Sequence, residues 1–401
     1  MDSIIKRKTI RWMKIELGAV LIVVALTISA CSGNVTPAPL QDELPPTPYP
    51  DTPSPARIDG PRVEAPAIIE LEMFDELNGW AVTDTQIVRT NDGGITWYNV
   101  SPPDMVETGY SVGTFFLGND HAWVQKPDLE KYPNSGTLYR TTDGGRSWDN
   151  FVVPFSGGDL SFVDAEHGWA LADLGVGAGS NAVAVFQTTN GGASWEKTYT
   201  NDPNDKDASD SLPLGGIKSD LIPLDMNTAW VTGVTYAPGE VYLYRTIDGG
   251  RSWKQVGLPL PPEAPNFELG IDKDQMKFVS PADAYLALRM SGDATETAVY
   301  VTHDAGNTWR LTPTVLDGAG ASSFLTGQDA ILYNGEQFQV THDGADSWTA
   351  VAPDMAFGET FVTMDFVNSM SGWVITIDPS TNHRSLYRTQ DGGSTCLPVV
   401  P

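Results

Sequence analysis

The sequence predicts an all-β fold made by repeating one antiparallel sheet unit, and three observations carry that expectation. A short phrase, Thr-x-Asp-Gly-Gly-x-Ser/Thr-Trp, recurs with small variations seven times in the 401 residues, at 90–97, 141–148, 188–195, 246–253, 302–309, 341–348 and 389–396. The copies end on Trp97, Trp148, Trp195, Trp253, Trp309, Trp348 and, in a decayed last copy, Cys396, a spacing of 39 to 58 residues. A second signature precedes these turns: Phe74 before Gly79 and Trp80, Phe116 before Ala122 and Trp123, Phe162 before Gly168 and Trp169, Ile222 before Ala229 and Trp230, Phe366 before Gly372 and Trp373. No apolar pattern of helical period and useful length follows residue 31. A period of roughly 40–50 residues, carried by short β-branched and aromatic runs between turn signals, is that of radial sheet repeats. One four-stranded blade per copy makes a single seven-bladed β-propeller over residues 67–401.

From the N-terminus, residues 1–30 read as a targeting segment. Lys6, Arg7, Lys8, Arg11 and Lys14 form a basic start, and an apolar run follows over 17–30. That run is short for a membrane span, which needs about 20 residues, and suits an exported leader. It ends in Thr27-Ile28-Ser29-Ala30-Cys31, which resembles a bacterial lipoprotein signal. The resemblance implies that Cys31 is lipidated and becomes the new N-terminus; an ordinary cleaved signal or an uncleaved anchor is the other reading. Residues 31–66 hold ten prolines and few large apolar side chains, the composition of a semi-rigid stalk. The expected address is a membrane surface facing away from the cytoplasm, in the periplasm or on the cell surface.

Within each repeat the residue types suit a hairpin turn. Asp92, Asp143, Asn190, Asp248, Asp304, Asp343 and Asp391 stand where a side-chain oxygen can accept hydrogen bonds from the amides of the turn. The glycine pair supplies the left-handed backbone that such a turn needs. The closing Trp re-enters the sheet and offers a large apolar face to a neighbour. Of the 12 tryptophans, Trp12 lies in the leader and the others fall in the two repeat slots, so blade packing explains them without a carbohydrate platform. The fifth and sixth copies keep the first slot with Ala284-Tyr285 and Ala330-Ile331. Inner strand one is expected from about 67–69 and the last outer strand over 397–400.

Composition bounds the function. The net charge is −27, which argues against nucleic acid and against direct adsorption to anionic lipid. With Cys31 lipidated, Cys396 is left alone and no internal disulfide is available; it reads as a decayed Trp position rather than a reactive thiol. The five histidines have no metal-ligand spacing, and no metal is expected. The acid-rich stretch 202–210 has oxygen ligands suited to calcium but lacks the spacing and glycine of an EF-hand loop, so a solvated loop is the simpler reading. No phosphate-binding loop, Cys pair motif or nucleophile elbow is present, and no cofactor is expected. The chain is expected to be a monomer.

The turns resemble the Asp boxes of bacterial-neuraminidase-repeat propellers over about residues 67–400. That group includes sialidases, xyloglucanase-type glycosidases, sortilin-like receptors and the photosystem II assembly and stability factors. The paired pattern Phe…Gly-Trp-Ala, then Arg-Thr-x-Asp-Gly-Gly-x-Ser/Thr-Trp, looks most like the last family and its non-photosynthetic relatives. Sialidases use an arginine triad opened by an Arg-Ile-Pro motif, and no Arg-Ile-Pro occurs here. Arg89, Arg140, Arg245 and Arg388 instead share one slot before the turn Thr. An arginine patch on one face is associated with partner binding in the assembly-factor family, and the resemblance carries that role to these four only as a possibility, without a residue-by-residue match.

Two functions follow as expectations. The first is a non-catalytic scaffold that binds a protein, such as a membrane complex or its subunits, or else a glycan, through the loop face opposite the Asp boxes. The second is an extracytoplasmic glycoside hydrolase, sialidase-like or xyloglucanase-like in fold, using two carboxylates roughly 5–10 Å apart. A broad face lined by Tyr132, Arg140, Tyr199 or Tyr236 favours the scaffold, and a converging carboxylate pair in a deep pocket favours the enzyme. The long loops 125–137, 196–218 and 255–273 are where either site is expected.

Overall fold

Every strand of the computed structural model pairs antiparallel with its neighbours, and nearly every sheet is a simple up-and-down meander. The residues described are 57–103, 105 and 112–400, so the leader, Cys31 and most of the proline segment lie outside them. Four sheets have four strands each (113–153, 158–200, 322–351 and 361–398), and a five-stranded one spans 62–99. A nine-stranded sheet holds two further meanders, 217–255 and 276–317, bridged by Glu268–Gly270. Two short 3-10 turns, Ala264–Asn266 and Gly358–Thr360, are the helical elements among the described residues, and no helix there is long and apolar enough to cross a membrane.

The repeated phrase closes each meander between its third and fourth strands. In the first, Asp92 Oδ1 accepts from Thr96 N at 2.8 Å and from Thr90 Oγ1 at 2.9 Å, while Thr90 Oγ1 accepts from Gly94 N at 2.9 Å. Asp143, Asn190, Asp248, Asp304, Asp343 and Asp391 repeat this pattern. Gly93 has φ +75°, and where the repeat substitutes alanine, Ala305 and Ala345 are forced to +57° and +65°. Each turn is also bound to the first hairpin of its own sheet, as in Gly93 N to Leu77 O and Gly144 N to Asp120 O, both 2.9 Å. The first and third connections therefore share one end of the sheets, the turn face. The second connections and the links between sheets occupy the opposite loop face.

The core lies between sheets rather than inside any one of them. Trp80, Trp123, Trp169, Trp230 and Trp373 have no exposed surface. Trp80 stacks on Phe116 of the next sheet at 5.2 Å and Trp123 on Phe162 at 3.8 Å; Tyr285, in the same slot, stacks on Phe324 at 5.1 Å. The glycine beside Trp is explained by the same packing. A Cβ on Gly168 would stand 2.4 Å from the Phe162 ring, so the aromatic and the glycine belong to one close contact. Indole N–H groups cross to the next sheet too: Trp80 Nε1 donates to Gly118 O, and Trp123 Nε1 to Gly191 O, each at 3.0 Å. Chain end meets chain start where Trp373 Nε1 donates to Gly93 O at 2.9 Å and Met73 N donates to Asp365 Oδ2 at 2.6 Å.

The expected stalk boundary at residue 66 shifts. Arg62–Val63 pairs with the outer strand Trp97–Asn99, Asn99 N donates to Pro61 O, and Ile58 is buried beside Trp80 and Val100. The sheet unit thus begins at or before Ile58, because the open edge of an outer strand recruits the passing chain.

Candidate functional site

The first strand of each meander is a sheet edge, and its unpaired N–H groups need acceptors. Acidic side chains of neighbouring inner strands supply several of them. Asp159 Oδ2 accepts from Leu221 N at 3.1 Å, Asp220 Oδ2 from Asp274 N at 3.2 Å, and Asp365 Oδ2 from Met73 N. Ser323 Oγ does the same for Phe366 N at 3.1 Å. These carboxylates join adjacent meanders and face the space that the inner strands enclose.

One inner strand is broken. Between Glu268–Gly270 and Met276–Phe278 the chain bulges, with Asp274 in the left-handed region at φ +63°, a conformation aspartate tolerates better than most residues. The bulge carries Lys273 toward the middle, where its Nζ lies 3.4 Å from Asp159 Oδ1. Glu70, Thr114, Gly158, Asp159 and Lys273, from four different meanders, line a cavity of about 320 Å³. Thr114 Oγ1 donates to Glu70 Oε2 at 3.0 Å. Residues far apart in sequence converge here, which makes this the loop-face mouth of the central space.

The electrostatics follow from enclosure. Solvent reaches the Glu70 and Glu72 side chains, yet protein surrounds them on most sides, so the water that remains hydrates charge poorly. Loss of hydration, then the neighbouring Asp365, pushes the Glu72 carboxyl up to about 8. Burial lifts Asp365 to about 6 against the opposing pull of the Met73 N–H. Burial also raises Asp220, aided by the hydrogen-bonded Asp159, and raises Glu70 and Asp274 against the attraction of Lys273. Lys273 in turn is held above the usual lysine value, chiefly by Asp159.

Beside the mouth, loops of three consecutive meanders expose apolar side chains. Tyr132 is 50% and Tyr236 61% exposed, and Leu129, Val176 and Leu214 are exposed with them. The loops of the latter two meanders touch: the Tyr236 ring covers Gly179, and Ser180 bridges Gly216. Lys218 anchors the long loop 201–216. Its buried Nζ donates to the carbonyls of Asn181, Pro213, Leu214 and Gly216 at 2.7–3.2 Å, lies over the Tyr242 ring, and is pushed down to about 8 by burial.

Two residues expected on the binding face are elsewhere. Tyr199 is 4% exposed; its hydroxyl donates to Ser209 O and accepts from Leu212 N, both at 2.7 Å, so it holds the base of the long loop. Arg140 reaches across the turn face, donating to Asn190 O at 3.1 Å and Gly191 O at 3.3 Å and pairing with Asp149 at 3.0 Å. Arg89, Arg245 and Arg388 make the same crossing, each over a Trp ring. The shared arginine slot is an inter-sheet clasp. In the acidic stretch 202–210, Asp205 pairs with Lys197 and Asp202 accepts from Asn204 N at 2.9 Å. Among the described residues no three His, Cys, Asp or Glu side chains converge as a metal site. The axial acids were missed in sequence. The signal was a charged residue just before the last large apolar residue of the inner strand, as in Glu72 before Met73 and Asp365 before Phe366.

Fold and axial site together define a β-propeller. No family model matches the chain. It is 23% identical over 358 residues to a xyloglucanase from Paenibacillus sp., covering 75% of this chain and 32% of that protein. It is 24% identical over 133 residues to the photosystem II assembly lipoprotein Ycf48 of Synechococcus sp. (strain CC9902), covering 33% of this chain and 37% of that one. The chain thus matches only about a third of the length of these relatives. Among solved structures, a PL25 ulvan lyase superposes with a TM-score of 0.51 at 9% identity, over 84% of this chain and 94% of that chain, a likeness of fold.

Proposed function

We propose that the chain is a seven-bladed propeller whose repeated turns are Asp boxes, and that it acts as a non-catalytic scaffold binding a protein at its loop face. Residues 1–30 serve as a lipoprotein signal, and lipid on Cys31 with the proline segment tethers the propeller outside the cytoplasm. One observation carries the reading. Asp159, Asp220 and Asp365 are engaged by backbone N–H groups of adjacent meanders, while Leu129, Tyr132, Val176, Leu214 and Tyr236 stand exposed on the loops of the loop face. Carboxylates so committed hold the ring together, and a rigid ring that presents loops at one end suits a docking surface. The named role of the Ycf48 relative, photosystem II assembly, agrees in kind. Crosslinking of the tagged, lipidated protein in cells, followed by mass spectrometry, tests it: a reproducible membrane-protein partner is expected, and capture of abundant neighbours alone overturns it.

A specific observation favours a second reading, a glycoside hydrolase. Glu72, raised to about 8 near Asp365, holds a proton at neutral pH as a general acid must, and the xyloglucanase relative aligns with 75% of the chain. Release of reducing ends from xyloglucan or another polysaccharide, lost in Glu72→Gln, would establish it.

A further inference from the structure

We infer that residues 57–63 form a detachable strap that locks the seam between the first sheet (62–99) and the last (361–398), so that its undocking loosens that seam before the others. The segment touches more than its own sheet. Arg62–Val63 pairs with the outer strand Trp97–Asn99, Arg62 opposite Tyr98 and Val63 opposite Trp97, and Asn99 N donates to Pro61 O at 2.9 Å. Arg146, in the repeated turn of the second sheet, donates from Nη2 to Arg57 O and pairs through Nε with Asp59, both at 3.2 Å. The apolar anchors of the strap lie near its two ends and enter different cores. Ile58 is buried with Trp80, Val100 and Phe116 between the first and second sheets, while Val63 packs against the cluster of Trp97, Trp373 and Ile375 between the first and the last. One short segment therefore grips the first sheet from both flanks.

The far flank is where the ring closes. Trp373 Nε1 meets Gly93 O across 280 residues of sequence and Met73 N meets Asp365 Oδ2 across 292, with no connecting loop to hold the two sheets together. Contacts alone keep this seam shut, and the strap adds Val63 to them. The hold on the strap itself is light. Asp59, Gly60, Pro61 and Arg62 are exposed, the ladder is two pairs long, and the ion pairs of Asp59 lie in solvent, where each contributes little. Just beyond the strap, Ala65 is bent into the left-handed region at φ +44°, a conformation that a residue with a Cβ disfavours. A segment with few buried contacts and a strained hinge opens locally at low cost. Docking is nevertheless exacting at one point: a Cβ on Gly60 would stand 2.3 Å from Asn99 O, so the strap seats fully only with glycine there.

Hydrogen exchange of the purified full chain, read by mass spectrometry, tests the inference. Gly60→Val blocks docking and alters neither core directly. Exchange should rise about ten-fold or more in Ile87–Thr90 of the first sheet and in Gly372–Asp378 of the last. Ser180–Thr188 and Ala284–Ser291, remote from the seam, should exchange as in the parent. Gly257→Val, where an added Cβ meets nothing, should change none of the four. A second variant keeps the test decisive where Gly60→Val does not fold. Arg62→Cys with Tyr98→Cys places two thiols at facing positions of the ladder, able to bond across it. Its oxidised form should exchange about ten-fold more slowly in Gly372–Asp378 than its reduced form. A rise confined to Trp97–Asn99 would mean that the strap serves only its own strand, and an equal rise in all four segments would mean that it adds only to general stability. Either result, or identical exchange in the oxidised and reduced forms, overturns the inference.

Discussion

Trp373 Nε1 donates to the carbonyl oxygen of Gly93 at 2.9 Å, and this bond joins the last sheet to the first. Its contribution can be isolated because Trp230 occupies the same slot, equally buried, with its indole N–H unpaired. Trp373→Phe should cost roughly 2–3 kcal/mol and Trp230→Phe about 1 kcal/mol less, since only the former strands an acceptor. Urea denaturation of both variants checks this. Equal losses would mean that packing alone closes the ring.

Asp143 Oδ1 accepts from Ser147 N at 2.9 Å and its Oδ2 from Ser147 Oγ at 2.6 Å. Asp143→Ala should therefore destabilise the chain by about 1–3 kcal/mol, leaving turn amides without their acceptor. Partner binding should persist, since the turn face lies opposite the loops. An unchanged melting temperature would refute this account of the turn.

Stability should peak at about pH 4–5. Serine and threonine donors depress Asp304 and Asp343 to about 2, so their contribution is complete above the ordinary carboxylate value of about 4 and is lost as pH falls through about 2. Glu72 and Asp365 act in the opposite sense. Raised to about 8 and about 6, they favour the protonated fold, and stability declines as pH climbs from about 4 through those values. Melting curves between pH 2 and 9 test the shape; a maximum near pH 7 would mean that the central acids ionise normally.

Lys273→Met separates charge from packing at the mouth. Its ammonium group offsets Asp159, Asp274, Glu70 and Asp220. At pH 8 more of these are ionised, so the variant should melt several degrees below the parent, with a much smaller gap at pH 5. The same deficit at both values would assign Lys273 a purely steric role.

The repeated turns were legible in sequence because their chemistry is local: a Thr hydroxyl, an Asp carboxylate and a glycine within a few residues. The tryptophan slots were legible through their period. The axial site was not. Glu70, Asp159 and Lys273 lie on three different meanders and meet only when the sheets are arranged around one space. In isolation each is one acid or base among many, and a bulge that no turn signal marks brings Lys273 inward. Arg140 was misplaced because arginine was read as a ligand-binding residue; its recurrence at Arg89, Arg245 and Arg388 already pointed to a structural slot. Tyr199 sits at the start of a long loop, and nothing local shows that the loop folds back over its hydroxyl.

The most direct test of the central claim places a photocrosslinking amino acid at Tyr132 or Tyr236 on the loop face, and at Ile95 or Ile247 on the turn face, in the lipidated protein in living cells. All four positions are exposed. The account expects one membrane-protein adduct from both tyrosine positions and none from the isoleucine positions. The same adduct from the turn face, or no adduct from either tyrosine, would contradict it.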